Sequence, residues 1–492
     1  MAVADERGKA NEAVHPLFSF DSHRLRICMF LLLALFIGSS NRMTLSTSIV
    51  CMVNSSTSNT NDVSNVSSTA KCARSISMSH EDDLAVEGHL DWSPSKQSML
   101  LSSSFYGSFL TIIIAGAVID QFSPSRILYV SLLVSSLLTI IAPFLSNSSF
   151  DVFLASRLVI GVTESVNLPA INMLASRWFP IVEKPILAAL YTSGIQFAAG
   201  GSSLISAEIC RSTFLHGWPA IFYIFGVATV IFVVFWCIFV VDSPSSSRWT
   251  SDEEKMYLAR MIRVPKQKPS LRTSPWRAIC SSSAVHSVMI CSFAFGFSTS
   301  TMQAFLPTYL REQLALPVDK IGQYTLAPFF AQIVGKTTFG LITGFVVKRG
   351  FLSLTTVTRM SQSLGSFGAT ITLMAFAHFP TCSNPDSSMP ILIAYGLIYA
   401  GGVTGYFTSL LTIAPKYTGT LTALYQLFTM LAMISSSTLV TTLTSMDSEY
   451  KWTIIFGTAS LIQTIAGLHF MVFGSTETQY WADGVNRKIA PA

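Results

Sequence analysis

Twelve apolar segments, each long enough to cross a lipid bilayer, follow one another along this chain of 492 residues. An α-helix needs about 20 mainly apolar residues to span the hydrocarbon core of a membrane. The interruptions within several segments are Gly, Ser or Thr rather than charges, as expected where helices pack closely in a bilayer. The pattern predicts an all-α integral membrane protein with transmembrane helices over 27–53, 98–120, 127–145, 151–176, 186–210, 218–241, 284–310, 324–346, 354–378, 389–413, 419–445 and 452–474.

The composition agrees with a membrane protein and argues against other classes. Only 12% of the residues are charged, whereas a soluble globular chain has about 25%. The net charge of +5 is mild and there is no basic block, so nucleic acid is not expected as a partner. The sequence has no CxxC, no HExxH and no cluster with catalytic spacing, so we expect neither a metal site nor an enzyme.

The distribution of Lys and Arg predicts the side of the membrane that each loop faces. With the N-terminus in the cytosol, the cytosolic segments contain 20 of these residues and the opposite segments contain seven, which is the bias of cytosolic loops. The loop 54–97 then faces the lumen or the exterior. Its two sequons make Asn65, and Asn54 closer to the membrane, candidate glycosylation sites.

The eight cysteines fall into two groups. Five lie in or beside apolar runs and are interpreted as small core residues: Cys28, Cys51, Cys237, Cys280 and Cys291. The other three, Cys72, Cys210 and Cys382, lie near predicted non-cytosolic helix ends, and their spacing selects no disulfide pairing.

A basic segment divides the chain into two sets of six helices. It contains RWTSDEEKMYLARMIR, which predicts a short amphipathic helix at the cytosolic membrane surface. The predicted organisation has five parts: a cytosolic N-terminal tail over 1–26, a six-helix bundle over 27–242, a cytosolic central linker over 243–283, a second six-helix bundle over 284–474 and a cytosolic C-terminal tail over 475–492.

A series of short fragments, in a fixed order along the chain, carries a family resemblance. They include NRMTLSTSIVCMVN (41–54), RLVIGVTESVNLPAINMLASRWFPIVEK (157–184), SGIQFAAG (193–200), GWPAIFYIFG (217–226), FLPTYL (305–310), IAPKYTGTL (413–421) and FGSTETQYWA (473–482). From about Arg24 to Trp481 the chain resembles the organic and phosphate anion transporter family of the major facilitator superfamily. That family includes sialin, the vesicular glutamate transporters and the sodium-phosphate cotransporters.

The resemblance implies a fold, a function and a location. The fold would be the major facilitator fold, with two six-helix halves around a site near the bilayer midplane. The function would be secondary active transport of a small organic or inorganic anion by alternating access. Because the sequence has no Walker motif, a gradient of H⁺ or Na⁺ would drive transport, with no other cofactor. A monomer in the plasma membrane or in a lysosomal or vesicular membrane is expected. The alternative is an anion sensor with a transporter fold and no net flux.

Three charges lie deep in the first and fourth predicted helices, where an unpaired charge costs at least several kcal/mol. They are Arg42, Arg157 and Glu164. The resemblance implies that Arg42 and Arg157 face each other across the central cavity and clamp the anion, and that Glu164 couples transport to a proton or gates it. The alternative is a structural role, in which each charged side chain only holds its helix against its neighbours. Seven residues separate Arg157 from Glu164, so they share a helix face but lie about 10 Å apart along the axis, too far for a tight direct bond.

Further polar residues within the predicted helices are candidate substrate ligands. Lys336, in the eighth helix, either supplies another positive charge to the cavity or extends to the interface from a helix shifted in register. Tyr106 and Asn167 bind either substrate or neighbouring helices. All three are predicted to bind substrate.

The turn after the second helix keeps part of a superfamily motif. Gly116, Asp120 and Arg126 match the GxxxD...R pattern and are assigned to locking and releasing the two halves. The chain departs from the vesicular glutamate carriers at Leu101 and Phe295, where those carriers have a histidine and an arginine. We therefore expect no vesicular glutamate loading.

Overall fold

A computed structural model describes residues 22–52, 90–92, 94–211, 217–262, 275–314, 316, 318–381, 384–445 and 450–482. The predicted glycosylation sites Asn54 and Asn65, together with Cys72 and Cys382, lie outside these residues. The α-helices of the described chain are α1 (His23–Met52), α2 (Pro94–Gln121), α3 (Pro124–Ser148), α4 (Phe150–Glu164), α5 (Asn167–Trp178), α6 (Lys184–Phe197), α7 (Ser203–Arg211), α8 (Trp218–Phe239), α9 (Asp252–Met261), α10 (Trp276–Ser281), α11 (Ser283–Ser300), α12 (Leu306–Glu312), α13 (Val318–Lys348), α14 (Leu354–His378), α15 (Ser388–Tyr399), α16 (Thr408–Thr412), α17 (Thr418–Ser445) and α18 (Lys451–Phe473).

Each of the twelve predicted transmembrane segments coincides with one helix or with two helices in succession. Within the described ranges, nine helical spans are long and apolar enough to cross a membrane. The other three predicted segments correspond to α6–α7, α11–α12 and α14. Of these, α14 contains many Ser and Thr residues, which lower its hydropathy.

Four of the long helical spans are interrupted partway along their length. The fourth transmembrane span breaks between Glu164 and Asn167. The other three contain a π-helical segment: Ala198–Ser202 after α6, Thr301–Phe305 after α11 and Val403–Phe407 before α16. In the last segment Gly405 leaves the helical backbone conformation, and the Gln362 side chain of α14 accepts a hydrogen bond from the Tyr406 N–H at 3.2 Å. That bond satisfies a buried backbone group beside the break. Breaks of this kind are frequent at functional sites.

Glycine lets α2 and α4 pack backbone against backbone. A Cβ added at Gly107 would collide with the Leu158 main chain, and one added at Gly161 would collide with the Ser104 main chain. Ser108 Oγ also donates a hydrogen bond of 2.6 Å to the Gly161 carbonyl. Small residues and hydroxyl groups therefore fix this pair in the way typical of helices in a bilayer.

We call the helices before α9 the N-half and those after α10 the C-half, while the exact domain boundaries stay a prediction. The halves meet along α2 with α17 and along α6 with α13. In the first pair Gly116 lies against Gly419 and Ala423. In the second pair Gly340 lies against Ile186. A larger side chain at either glycine would push the halves apart.

A buried carboxylate of the linker helix α9 holds this helix against the N-half. Glu254 accepts hydrogen bonds from Ser22 Oγ and from the backbone N–H groups of His23 and Arg24, at 3.4, 2.9 and 3.2 Å. It thereby caps the start of α1, whose first N–H groups have no partner within the helix. Arg24 also pairs with Glu183 at 3.1 Å. Burial raises the pKa of the Glu183 carboxyl, and the Arg24 guanidinium opposes that shift. We call the membrane side that carries α9 the linker side.

A disulfide joins Cys51, near the end of α1, to Cys210 in α7, with their Cα atoms 6.3 Å apart. It lies at the side opposite the linker side. The interpretation of Cys51 as a core cysteine is therefore wrong. Its apolar neighbours in sequence conceal that the ends of the first and fifth transmembrane segments meet in space.

Candidate functional site

A cavity of about 210 Å³ lies between the N-half and the C-half. Within the described chain, the charged residues of its wall are Arg42, Glu164 and Lys336. Rings from the C-half cover much of the opposite wall: Phe295, Phe329, Tyr395, Tyr399, Tyr406, Phe407 and Tyr425. The cavity therefore combines a few charges with a largely apolar lining, which is the usual composition of a small-molecule site.

Hydrogen bonds between the halves close the cavity toward the linker side. Asn172 of α5 donates to Thr422 of α17 at 3.1 Å. Lys184 Nζ, at the start of α6, donates to the Leu411 carbonyl of α16 at 2.9 Å. Asn172 lies one to two helical turns beyond the cavity residue Asn167, in the direction of the linker side. The structure thus shows a conformation that is sealed on this side.

The Arg42 guanidinium of α1 lies at the cavity wall, where the substrate prediction requires it. Its Cζ atom lies 5.6 Å from the centre of the Phe105 ring of α2, a position that favours a cation. Among the described residues, no carboxylate lies within ion-pair distance of Arg42. Because a guanidinium has five N–H donors, Arg42 retains capacity to bind an anion.

Glu164 ends α4 and also lines the cavity. Its Oε1 atom is buried and has no hydrogen-bond partner in the described part of the chain. Arg42 and Arg157 act on this carboxylate electrostatically, yet neither forms a direct ion pair with it among the described residues. A carboxylate in such a position can take up a proton or interact with a bound cation.

Arg157 lies behind the cavity wall rather than in it. Its guanidinium lies over the rings of Phe153 and Phe222, at 4.9 and 5.2 Å from their centres, and the side chain is only 2% exposed. Its Nε and Nη2 atoms have no hydrogen-bond partner among the described residues. The structure therefore does not bring Arg42 and Arg157 face to face across the cavity. Contact between Arg157 and substrate stays a prediction.

Lys336 of α13 lies at the cavity wall and not at a helix end, so the structure agrees with the first of its two alternatives. The side chain is 3% exposed. Its Nζ donates to Gln196 Oε1 of α6 at 2.7 Å and lies 3.5 Å from two oxygens of Thr192. The lysine thus belongs to the C-half but is held by acceptors of the N-half.

The two uncharged candidates have different surroundings. Asn167 lines the cavity, and its Oδ1 accepts a hydrogen bond of 2.6 Å from Ser131 Oγ of α3. This bond leaves the amide N–H groups available for other contacts. Tyr106 is 61% exposed and lies outside the cavity lining, so the structure does not bring it together with the other candidates.

Two of the three predicted gating residues lie at the interface between the halves. Asp120 accepts hydrogen bonds from the backbone N–H groups of Gly419 and Thr420, at 2.8 and 3.0 Å, and from the Thr420 hydroxyl. The carboxylate thus caps the start of α17 across the interface, where the helix dipole favours a negative charge. Gly116 lies one turn earlier against the same helix. The third residue, Arg126, donates its backbone N–H to Ser123 Oγ and has an exposed side chain.

Three residues at the cavity or its closure escaped the sequence analysis. Gln196 binds Lys336, while Asn172 and Lys184 seal the linker side. Lys184 offers a signal, since it directly precedes Pro185 at the start of an apolar run, but the same position is typical of a charge in a cytosolic loop. Gln196 is uncharged, and polar residues without charge are common at helix contacts in membranes.

Two helical halves around a partly charged cavity, closed on one membrane side, define a multi-pass membrane transporter. Residues 30–437 match the family model of the Major Facilitator Superfamily, and the chain belongs to this family. The predicted all-α fold of twelve transmembrane helices is thereby confirmed.

Comparison with known proteins agrees with the narrower resemblance. A probable small intestine urate exporter of Mus musculus is 28% identical over 80% of this chain and 78% of its own length. Sodium-dependent phosphate transport protein 1 of Mus musculus is 27% identical over 80% of this chain and 83% of its own length. The solved structure of the proton:xylose symporter XylE, bound to 6-bromo-6-deoxy-D-glucose, covers 94% of this chain and 98% of its own with a TM-score of 0.62. At 16% identity the last comparison shows the fold alone.

Proposed function

We propose that this transporter carries a small anion across the membrane by alternating access, coupled to H⁺ or Na⁺. The observation that carries the proposal is the charge of the cavity wall, where the cations Arg42 and Lys336 outnumber the single carboxylate of Glu164 among the described residues. The names of the urate exporter and the phosphate transport protein support an organic or inorganic anion as the substrate class.

The charge of the cavity suggests how proton and anion are coupled. With Arg42 and Lys336 charged and Glu164 ionised, the wall carries a net charge of +1. Protonation of Glu164 raises that charge to +2, and charges act strongly on one another in an interior of low dielectric constant. The proton therefore strengthens anion binding, and by linkage the anion strengthens proton binding to the same extent. Proton and anion then travel in the same direction.

Arg157 contributes a third positive charge from behind the wall. Because it is stacked on Phe153 and Phe222, it acts on the anion in this conformation through its electric field and through Glu164. For Arg157 to contact the anion directly, its guanidinium would have to give up its stacking on Phe153 or Phe222. We assign such a contact to the opposite conformation, in which the cavity is open to the linker side.

The disulfide supports the orientation that the Lys and Arg distribution predicts. Disulfides persist in oxidising compartments, and the bond between Cys51 and Cys210 lies opposite the linker side. That placement favours a cytosolic linker and cytosolic termini. The opposite side would face the exterior at the plasma membrane, or the lumen of a lysosome or vesicle. The same orientation predicts that Asn65 and Asn54 face the exterior or the lumen, where they can be glycosylated.

The proposal is tested by flux in proteoliposomes that contain only the purified protein. Uptake of labelled inorganic phosphate, urate and glutamate is measured, with empty liposomes and an Arg42→Ala variant as controls. Accumulation of phosphate or urate that Arg42→Ala abolishes supports the proposal. Binding of an anion without uptake supports the sensor alternative, and neither binding nor uptake of any anion contradicts the proposal.

The coupling ion is identified in the same vesicles by imposing one gradient at a time. A pH gradient without Na⁺ that drives accumulation identifies H⁺, and a Na⁺ gradient at equal pH identifies Na⁺. Glu164→Gln keeps the size of the side chain and removes its titration. If H⁺ is the coupled ion, this variant is expected to exchange anion across the membrane but to lose accumulation against a gradient.

A further inference from the structure

We propose that Lys336 is an exchangeable anion ligand whose release from Gln196 couples substrate binding to separation of the two halves. In the conformation sealed on the linker side, the ammonium group is held by the N-half. An anion that enters the cavity takes over the ammonium and breaks this contact between the halves. The inference rests on the proposed anion transport.

The hydrogen-bond directions around Lys336 are fixed by chemistry. An ammonium group only donates, so the amide oxygen of Gln196 must face it, and that contact is 2.7 Å long. The amide nitrogen of Gln196 then donates to Gln332 Oε1 of α13 at 3.3 Å. The chain of bonds runs from the C-half to the N-half and back, and all three side chains line the cavity.

The ammonium group is under-compensated in this arrangement. It is almost fully buried, and in the described chain no carboxylate lies within ion-pair distance of it. Gln196 supplies one short hydrogen bond, and the two oxygens of Thr192 lie at 3.5 Å, beyond the usual range. A buried cation held mainly by one neutral amide carries a desolvation cost that is poorly compensated, and pairing with an anion lowers that cost. The cavity gives an anion access to it.

The contact lies within a longer seam between α6 and α13. Gly340 lies against Ile186 toward the linker side, and Gly200 lies against Phe330 at the other end. Lys336 with Gln196 lies between these two apolar contacts. The apolar contacts at the two ends of the seam do not respond to an anion. In the middle, an anion that binds the Lys336 ammonium removes its hydrogen bond to Gln196. Loss of that contact weakens the seam at the level of the cavity.

The test compares two variants that remove the same contact from opposite sides. Lys336→Met removes the ligand of the anion, so the Kd of the anion that the wild type transports is expected to rise about tenfold or more. Gln196→Leu removes the competitor of the anion and leaves the ammonium, so the Kd is expected to fall, by roughly threefold. Kd is measured by isothermal titration of the detergent-solubilised full chain.

Both variants are expected to shift the unliganded protein away from the sealed conformation. Ile181 of the N-half and Phe351 of the C-half are exposed on the linker side. The distance between spin labels at these two positions, measured by pulsed electron paramagnetic resonance, increases when the linker side opens. The exposed Cys237 and Cys280 are replaced by Ser in all samples. Thr422→Val is the matched control, because it removes a hydrogen bond between the halves that does not involve Lys336.

The sign of the two affinity changes decides the outcome. Opposite signs, with the fall in Gln196→Leu larger than any fall in Thr422→Val, support an exchangeable ligand. Changes of the same sign, or unchanged label distances in both variants, overturn it and leave Lys336 as a structural contact. If the wild type transports no anion, the proposed function itself fails, which is a separate result. If Lys336→Met does not reach the membrane at normal levels, Gln196→Leu decides the outcome, because a rise in its Kd overturns the proposal and a fall supports it.

Discussion

Removal of the Asp120 carboxylate is expected to unlock the linker side of the protein. In the sealed conformation this side chain of the N-half is 4% exposed and caps the first turn of α17 in the C-half. Asp120→Ala removes every bond of the cap, whereas Asp120→Asn keeps one acceptor oxygen without the charge. We therefore expect the alanine variant to open the linker side most, and the asparagine variant to lie between it and the wild type.

The size of the effect follows from the bonds lost. Asp120 accepts two backbone N–H groups and the Thr420 hydroxyl, and a hydrogen bond to a charged group contributes about 1.5–3 kcal/mol net. The bonds share one carboxylate and are not additive, and water replaces part of the cap once the halves separate. A net loss of about 3 kcal/mol is a change of roughly 150-fold in the equilibrium. A sealed conformation favoured by about 100:1 would then fall to near-equal populations.

The populations are measured with the spin-label pair at Ile181 and Phe351, without substrate. Asp120→Ala should add a second, longer distance of comparable weight, and anion uptake should fall because the sealed conformation is no longer held. Asp151→Ala is the matched control, since this exposed acidic residue lies in the first turn of α4 and caps no described helix of the C-half. A distance distribution of Asp120→Ala identical to that of the wild type would refute the locking role of this carboxylate.

The remaining predictions concern the cavity charges and the disulfide. Glu164→Gln is expected to flatten the pH dependence of anion uptake, and an unchanged pH profile would remove Glu164 from coupling. Arg42→Ala and Arg157→Ala are each expected to abolish uptake at normal membrane levels; normal uptake would remove that arginine from the transport mechanism. Cys51→Ser and Cys210→Ser should each lower stability by about 2–4 kcal/mol, seen as a lower Tm, and a double variant should be no less stable than either single variant.

The membrane spans could be predicted because a bilayer imposes a length and a composition that few other structures require. The breaks within the spans could not be predicted, because the residues at a break are as apolar as those of an unbroken helix. SGIQFAAG contains the end of α6 and the start of a π-helical segment, yet its composition fits an unbroken helix. A break depends on whether a neighbour satisfies the freed backbone, as Gln362 does for Tyr406, and that neighbour lies 44 residues away in sequence.

The charges within the membrane could be predicted from their cost, but their position at a cavity could not. A charge within a transmembrane helix is expensive enough to imply a function, and this argument singles out Arg42, Arg157 and Glu164 alike. Their place at a cavity is what the family resemblance implies, and the same cost leaves Lys336 between two alternatives. The partner of Lys336 remained hidden, since a neutral amide such as Gln196 is cheap in a membrane helix and sequence spacing does not reveal which helices of the two halves face each other. The pairing of Cys51 with Cys210 remained hidden for the same reason.

Arg157 and Glu164 show that a shared helix face does not imply a shared site. Seven residues rotate a helix to within about 20° of the starting direction, so both side chains leave the fourth span on one face. That face meets two environments, because at Glu164 it borders the space between the halves, while at Arg157 it is covered by Phe222 of α8. The difference is one of depth along the axis, about 10 Å, and not of rotation. The guanidinium still influences the carboxylate through protein of low dielectric constant. In the proposed mechanism, Arg157 therefore acts on Glu164 and on a bound anion through its electric field, without contact with either in this conformation.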